Sequence, residues 1–269
     1  MKSKFRLSGM YVLVLVFFSA CDVFEYSPNQ IILDDDEKDL NNKNIALLQS
    51  KPAKDTLKFI LMGDTQRFYE ESDAFVKSAN NIADLDFVIH AGDISDFGLS
   101  QEFIWVNDIM SKLNAPYITV IGNHDLIANG TEVYRQMFGP LNFSFIYSGL
   151  KFIFYDSNSR EYNFDGSVPD LDWIGRELAD TASYDWAIPV AHIPPYSIDT
   201  DLTMEEDFVN LLASSGKVIL SLHGHEHSFS IGEKYDNGIT YVVATSVGKS
   251  GYALITTFNG DFTVEEIHY

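Results

Sequence analysis

Cysteine is almost absent from this chain, since Cys21 is the only one among its 269 residues. A lone thiol cannot form a disulfide within the chain, and it cannot supply the several thiolates of a structural zinc site. The sequence therefore excludes a fold stapled by disulfides. Histidine, carboxylate and amide side chains are left as the available metal ligands.

Basic residues are also scarce: 18 lysines and arginines stand against 39 aspartates and glutamates, and the net charge is −21. Nucleic acids are bound chiefly by lysine and arginine, which displace counterions from the phosphate backbone. A surface this acidic argues against a nucleic-acid partner. A small phosphate ester is still admissible as a substrate if bound cations reverse the sign of the charge locally.

Long apolar runs are missing as well, because the run at 10–18 falls short of the roughly 20 residues that a membrane span needs. It follows a basic segment and precedes two small residues and Cys21, an arrangement that resembles a bacterial lipoprotein signal. The resemblance implies a signal peptide at 1–20, acylation of Cys21, and a lipid-anchored protein outside the cytoplasm of a bacterium. Phe18 departs from the aliphatic residue usual in that pattern. An ordinary cleaved signal and a short buried helix are the alternatives.

The segment that follows Cys21 is polar and acidic, with the sequence DDDE at 34–37. We predict that 21–55 forms a solvated, lipidated tether and that 56–269 forms the folded domain, for which a 46% hydrophobic composition supports a filled core. Part of the tether could instead pack on the domain as a strap, through three apolar residues: Ile45, Leu47 and Leu48.

From residue 57, short apolar segments alternate with segments of helical spacing. Predicted strands lie in 57–62, 87–93 and 117–125, the last of these being a strand that runs into a polar turn, and predicted helices cover 68–83 and 100–113 between them. This alternation predicts a parallel sheet with crossover helices.

The second half of the chain continues with further strands and with helices near 170–179 and 204–213. Its last third contains apolar segments near 241–246, 252–258 and 262–267, separated by turns with glycine. We expect these three segments to form an antiparallel meander. The fold class predicted for the whole chain is α/β with mixed sheets.

Polar clusters follow five of the predicted strands, at the point where each strand ends. They comprise Asp64 and Gln66, Asp93 and Asp96, Asn123 to Asp125, His192, and His225 and His227. In open α/β sheets, ligands bind at this edge because strand ends present their loops to one crevice. Imidazole, carboxylate and amide groups together favour hard to borderline divalent cations.

These clusters resemble the motifs of the calcineurin-like metallophosphoesterases. That family shows, in order, D-x-H, G-D-x-x-D, G-N-H-D/E, a lone histidine after a strand, and G-H-x-H. The corresponding segments here are D-T-Q at 64–66, G-D-I-S-D at 92–96, G-N-H-D at 122–125, His192, and G-H-E-H at 224–227. The resemblance covers 57–269 and implies a four-layer α-β-β-α sandwich of two mixed sheets, with 56–269 as the catalytic domain.

The resemblance also implies two divalent metal ions, drawn from Mn, Fe, Zn and Mg. One ion would take Asp64, Gln66, Asp93 and His227, and the other would take Asp93, Asn123, His192 and His225. Gln66 departs from the family, which more often has histidine at this place. Glutamine can still offer its amide oxygen, a weaker and harder donor than imidazole, so the first site would favour Mn or Mg and release its ion easily. The alternative is that the first ion is weak or absent.

The activity that the resemblance implies is hydrolysis of a phosphomonoester or phosphodiester, a small phosphate-ester substrate, by a metal-activated hydroxide. Two neighbouring cations can lower the pKa of a shared water to about 7. His124 would give a proton to the leaving oxygen, Asp96 would pair with His124, and Asp125 would hold the loop in shape.

Two rival functions use the same residues differently. A nuclease of the same fold is one, and the acidic composition argues against it. A non-catalytic, lipid-anchored metal-binding protein is the other: Gln66 favours it, whereas His124 and Asp96, which bind no metal in the family, argue against it.

Three further residues are candidates for supporting roles. His90 lies within a strand, and we interpret it as a core histidine or a neighbour of the ligands rather than a ligand. Arg135 and Arg160 follow the G-N-H-D turn, and each is either a clamp for a phosphate or an exposed structural arginine.

Overall fold

Eleven strands and six α-helices make up the part of the chain that the computed structural model describes, namely Ser27 and residues 29–269. The strands are β1 (Thr56–Met62), β2 (Phe87–His90), β3 (Tyr117–Thr119), β4 (Phe143–Tyr147), β5 (Leu150–Phe154), β6 (Trp186–Val190), β7 (Leu220–His223), β8 (Ser230–Glu233), β9 (Thr240–Val243), β10 (Gly251–Phe258) and β11 (Asp261–His268). The helices are α1 (Leu40–Gln49), α2 (Tyr69–Ala79), α3 (Ser100–Met110), α4 (Gly130–Met137), α5 (Leu171–Ala179) and α6 (Glu205–Ser214). The sequence did not predict α1, α4 or β8.

The first sheet has the strand order β11-β10-β1-β2-β3. Strands β1, β2 and β3 are parallel, and α2 and α3 connect them, which confirms the predicted alternation. Strand β10 pairs antiparallel with β1, in the register Phe59 opposite Ile255, and β11 continues the sheet as a hairpin. This first sheet is therefore mixed, with its parallel strands on one side.

The second sheet has the strand order β4-β5-β6-β7-β9-β8. Strands β5, β6, β7 and β9 are parallel, and β4 and β8 lie antiparallel at the two edges. The predicted meander is wrong, because β9 belongs to this sheet whereas β10 and β11 belong to the other. Tyr241, Val242 and Val243 of β9 are all buried, as suits an interior strand covered on both faces.

Three apolar layers hold the sheets and helices together. Side chains alternate along β1: Phe59 faces the core between the two sheets, whereas Ile60 faces the core under α2, α3 and α4. Phe87 stacks on Phe59 with 5.0 Å between ring centroids and meets Phe152 of the other sheet edge-on at 5.3 Å. A third core joins the second sheet to α5 and α6. The order helix, sheet, sheet, helix confirms the predicted four-layer sandwich.

Helix α1 covers an edge strand of each sheet. The Asn41 side chain accepts the Thr119 N–H at 2.9 Å and donates to the Thr119 carbonyl at 3.0 Å, as a neighbouring strand would. The Gln49 amide donates to the Ile146 carbonyl of β4 at 2.9 Å. Unpaired edge groups are a liability that proteins cover in this way.

The structure thus places α1, which lies inside the segment predicted as a tether, on the domain. Ile45 and Leu48 are buried, as the strap alternative expects, whereas Leu47 is 59% exposed. A solvated tether is therefore ruled out over 40–49. The signal peptide at 1–20 and the lipid on Cys21 lie outside the described residues and stay predictions. Among the described helices, none combines the length and the apolar character that a membrane crossing requires.

We predict that Leu48→Ala destabilises the protein by about 2–5 kcal/mol, because it removes a fully buried side chain from the core between the sheets. Leu47→Ala is the matched control, since its side chain is exposed, and should change the free energy of unfolding by no more than about 0.5 kcal/mol. Urea unfolding measures both. Equal stabilities of the two variants would show that α1 does not pack on the domain in solution.

Candidate metal centre

The predicted ligands stand directly after five strands whose carboxyl ends meet at one edge of the sandwich. Asp64 and Gln66 follow β1, Asp93 follows β2, Asn123 follows β3, His192 follows β6, and His225 and His227 follow β7. Hydrogen bonds join these loops to one another. The Asp64 N–H donates to the Gly92 carbonyl at 3.0 Å, and the Gly224 N–H donates to the His192 carbonyl at 2.9 Å.

Four of the seven predicted ligands have a left-handed backbone. Their φ angles are +56° at Asp64, +56° at Asp93, +69° at His225 and +54° at His227. This conformation is uncommon for residues other than glycine, and such residues cluster at functional sites. The fold therefore keeps sparsely populated backbone geometry at the residues that the sequence singles out.

Asp93 lies at the centre of the cluster. Asp64, Asp93 and His192 are buried, and each offers one ligand atom within 4.8 Å of those of the others. The Asp93 Oδ1 atom lies 3.3 Å from His192 Nε2. Among the described residues, these three satisfy the spacing that a metal ion requires.

One group of predicted ligands gathers around Asn123. Its Oδ1 atom lies 3.1 Å from His192 Nε2 and 3.1 Å from His225 Nδ1. Since His192 also contacts Asp93, the structure brings together the four residues that the resemblance assigns to the second ion.

The other group gathers around Asp64. Its Oδ1 atom lies 3.3 Å from His227 Nε2. The Gln66 amide is buried in the same place and donates from Nε2 to Asp93 Oδ2 at 3.2 Å. The four residues assigned to the first ion therefore also converge, with Asp93 shared between the two groups.

Two oxygens of the first group have no hydrogen-bond partner although they are buried: Asp64 Oδ2 and Gln66 Oε1. A buried polar oxygen without a donor or a cation is costly, by about 1–3 kcal/mol on mutational scales. A divalent cation would satisfy both oxygens. The donor set, carboxylate and amide oxygen with imidazole nitrogen, therefore fits a metal ion.

The buried charges of the centre stabilise one another. Burial acts to raise the pKa of Asp93, but the facing imidazole of His192 outweighs it and holds that pKa below its usual value. Burial acts in turn to lower the pKa of His192, and Asp93 outweighs it so that this pKa is raised. Metal ligation needs a neutral imidazole, so a cation that binds His192 takes the place of a proton.

His90 supports the centre from behind, which confirms its interpretation as a neighbour of the ligands. Its Nδ1 atom accepts the Gly92 N–H at 3.2 Å, so Nε2 carries the proton and faces Thr65 Oγ1 at 2.9 Å. Burial lowers the pKa of His90 to about 3, which keeps the ring neutral. His90 thereby joins the loop after β1, which contains Asp64, to the loop after β2, which contains Asp93.

His124 sits beside the cluster with its ring one-third exposed. Its Nδ1 atom lies 3.0 Å from the backbone carbonyl of Asp96 and 3.4 Å from the Asp96 carboxylate. The expected pairing with Asp96 is present, but the shorter contact is to the backbone. Since a carbonyl only accepts, Nδ1 donates and the lone pair of the neutral ring is on Nε2.

Asp125 ties the G-N-H-D turn to the G-D-x-x-D loop. The Ser95 N–H and the Gly122 N–H donate to its two carboxylate oxygens at 2.8 and 2.9 Å, and the Ser95 hydroxyl donates at 3.0 Å. Burial, with Asp93 adding to it, raises the pKa of Asp125 to about 7. These are the contacts that its predicted loop-holding role needs.

Two residues at the site were missed by the sequence analysis. Arg67 donates to the Asp96 carboxylate at 2.7 Å and so shares that carboxylate with His124. Asp199 lies 2.9 Å from His225 Nε2 through its Oδ2 atom. Their only sequence signal is position: Arg67 directly follows the D-T-Q turn, and Asp199 lies seven residues after His192.

The two arginines proposed as phosphate clamps occupy different places. Arg160 forms an ion pair with Asp199 and therefore reaches the site. Arg135 lines a groove with Asp156 and Tyr162 and makes none of the contacts described for the centre.

The sequence model of the calcineurin-like phosphoesterase family matches residues 57–229. A probable cyclic nucleotide phosphodiesterase from Synechococcus sp. is 28% identical over 152 residues, which cover 53% of this chain and 58% of that relative. The chain thus matches less than two thirds of the relative's length.

Comparison with solved structures gives the same fold. GAP50 of Plasmodium, described as the anchor in the inner membrane complex, is similar with a TM-score of 0.62 and 17% identity over 80% of this chain and 85% of that one. A dimetal phosphatase from Danio rerio is similar with a TM-score of 0.61 and 13% identity, over 79% of this chain and 99% of that one. At these identities the likeness shows the fold alone.

The family match spans more than half of the chain and includes every predicted ligand from Asp64 to His227. The same residues converge at one edge of the sandwich, and Asp64, Asp93 and His192 form a candidate metal site there. The chain therefore belongs to the calcineurin-like phosphoesterase family.

Proposed function

We propose that this protein hydrolyses a phosphomonoester or phosphodiester with two divalent cations, outside the cytoplasm. The observation that carries the proposal is the pair of buried, unpartnered oxygens, Asp64 Oδ2 and Gln66 Oε1, inside a cluster of predicted ligands. Buried oxygens without a partner are uncommon in folded proteins, and inside a cluster of predicted ligands a bound cation would complete them. The name of the Synechococcus relative supports a phosphodiester as one substrate class.

The residues fall into two ligand groups around Asp93. Asp64, Gln66 and His227 would hold one cation, and Asn123, His192 and His225 would hold the other. Bound together, such cations supply an activated water and positive charge against the phosphoryl oxygens. Gln66 would contribute its amide oxygen, a harder donor than imidazole, so the first site would favour Mn or Mg over Zn.

His124 is the proton donor in this proposal. Its Nδ1–H is held by the Asp96 carbonyl at 3.0 Å, so Nε2 is the atom that would exchange a proton with the leaving oxygen. Imidazole suits this task because its pKa lies near neutrality. The Asp96 carboxylate contacts both the His124 ring and the Arg67 guanidinium, and so fixes the surroundings of the ring.

An assay on two synthetic esters tests the function. We expect protein dialysed against EDTA to be inactive on p-nitrophenyl phosphate and bis(p-nitrophenyl) phosphate, and added Mn²⁺ to restore hydrolysis of at least one, because the cations supply the nucleophile. Release of p-nitrophenolate measures both reactions. No hydrolysis with Mn²⁺, Mg²⁺, Zn²⁺ or Fe²⁺ would favour a non-catalytic protein, and cleavage of DNA or RNA instead would favour a nuclease.

We predict that His124→Ala lowers kcat by about 10²-fold or more on phenyl phosphate esters, because the leaving phenolate loses its proton donor. The loss should be smaller on p-nitrophenyl esters, whose leaving group needs no proton. His268→Ala is the control, since His268 is exposed and contacts Glu266 rather than the cluster. Steady-state kinetics and bound-metal analysis are the measurements. Loss of metal from His124→Ala would contradict the proton-donor role.

The location outside the cytoplasm rests on the signal-like segment that ends at Cys21. We predict that Cys21→Ser moves the protein from the membrane fraction to the soluble fraction and abolishes incorporation of labelled palmitate, because acylation needs the thiol. Ser19→Ala keeps a small residue before the cysteine and serves as the control. Unchanged membrane fractionation of Cys21→Ser would refute lipid anchoring through this residue.

A further inference from the structure

Both ring nitrogens of His225 are engaged, on opposite sides of the ring. Nδ1 points into the cluster, 3.1 Å from Asn123 Oδ1 and 3.3 Å from His192 Nε2. Nε2 points the other way and lies 2.9 Å from Asp199 Oδ2. Asp199 is on the loop after β6, whereas His225 is on the turn after β7, so the contact joins two loops.

The chemistry of this contact fixes the protonation of the ring. An ionised carboxylate only accepts hydrogen bonds, so Nε2 must carry the proton that it donates to Asp199. The neutral ring that donates to Asp199 has its lone pair on Nδ1, 3.1 Å from the amide oxygen of Asn123, and a cation between these two atoms would accept a lone pair from each. Both side chains are largely buried, with exposed fractions of 16% and 18%, so water competes little for the contact.

Arg160 holds the other oxygen of the same carboxylate. Its guanidinium forms an ion pair with Asp199 Oδ1, and it comes from the turn Ser159–Tyr162 after β5. Asp199 Oδ1 makes no hydrogen bond beside this ion pair, so Arg160 gives one oxygen a charge partner while His225 takes the other oxygen. The arginine side chain is 55% exposed, so solvent weakens its share of the effect.

We propose that Asp199, steadied by Arg160, is a positioning residue that keeps His225 in the tautomer with its lone pair on Nδ1 and aims that nitrogen at the second cation. The proposal rests on the proposed function for the presence of that cation. A carboxylate behind a histidine ligand raises the basicity of the ligand and orients the ring. The backbone of His225 is left-handed and its N–H lies 3.3 Å from Asp64 Oδ1, so both backbone and side chain of this residue are restrained.

The first test measures the tautomer of His225 in metal-free protein. Two-dimensional ¹⁵N–¹H spectra of the full chain, labelled at histidine and treated with EDTA, should show His225 with its proton on Nε2; the signal is assigned by its loss in His225→Gln. Asp199→Ala should shift that signal towards a mixture of tautomers. A wild-type ring protonated on Nδ1, or an unchanged signal in Asp199→Ala, overturns the proposal.

The second test measures the affinity for Mn²⁺ by titration calorimetry, with Mn²⁺ as the only metal. Asp199→Ala should weaken one of the two sites by about 10–100-fold and leave the other near wild type. Asp199→Asn keeps a hydrogen-bond acceptor, so its affinity for Mn²⁺ should fall less than that of Asp199→Ala. In Arg160→Gln the affinity should fall by less than about 10-fold, because the arginine side chain is half exposed. Asp172→Ala, an exposed acid on α5, controls for the change in charge.

The outcomes separate this proposal from the function on which it rests. Two undiminished Mn²⁺ sites in Asp199→Ala overturn the positioning role while the function stands. Wild-type protein that binds none of Mn²⁺, Mg²⁺, Zn²⁺ and Fe²⁺ but shows the Nε2–H tautomer, lost in Asp199→Ala, supports the control of the tautomer by Asp199 and refutes the two-cation function. An unchanged free energy of unfolding in Asp199→Asn excludes a general loss of structure as the cause.

Discussion

The buried carboxylate of Asp93 receives contacts from three loops at once. His192 Nε2 lies 3.3 Å from its Oδ1 atom, the His124 N–H donates to the same oxygen at 3.0 Å, and the Gln66 amide donates to Oδ2 at 3.2 Å. A buried anion is tolerated only when such groups surround it. The loops after β1, β3 and β6 are therefore held around one negative charge, and the ligand geometry follows from it.

Close backbone approach makes this arrangement possible, and it explains the glycines of two motifs. A Cβ atom at Gly122 would lie 2.2 Å from the Asp93 backbone nitrogen and 2.3 Å from its carboxylate. A Cβ atom at Gly92 would lie 2.8 Å from the Gly122 nitrogen, at a φ of +93° that disfavours side chains. The loops after β2 and β3 thus touch through glycine, which brings Asn123 and His124 up to Asp93.

Much of this could be predicted from the sequence, because it depends on short patterns. Short apolar runs ending in polar turns predict parallel strands with functional loops. In the structure β1, β2 and β3 are parallel strands, each followed by a loop that carries predicted ligands. Motif order then predicted which side chains converge. These signals are local in the chain, although the site that they build is not.

The parts that could not be predicted depend on partners far apart in the chain. Asn41 pairs with Thr119, 78 positions away, and nothing in the spacing around Asn41 identifies an edge strand as its partner. The sheet to which β9 belongs is decided by packing rather than by its alternation. Asp199 and Arg67 gain a role only because folding places them beside His225 and Asp96, so neither carried a motif.

Charge explains why the site needs cations rather than basic side chains. The chain carries a net charge of −21, and the two arginines at the site, Arg67 and Arg160, are each paired with a carboxylate. Each pair is neutral by formal count, so neither supplies free positive charge to a phosphate. Of the seven predicted ligands only Asp64 and Asp93 are anionic, and two divalent cations would leave about +2 in the cluster. That local reversal of sign is what would let an acidic protein bind an anionic ester.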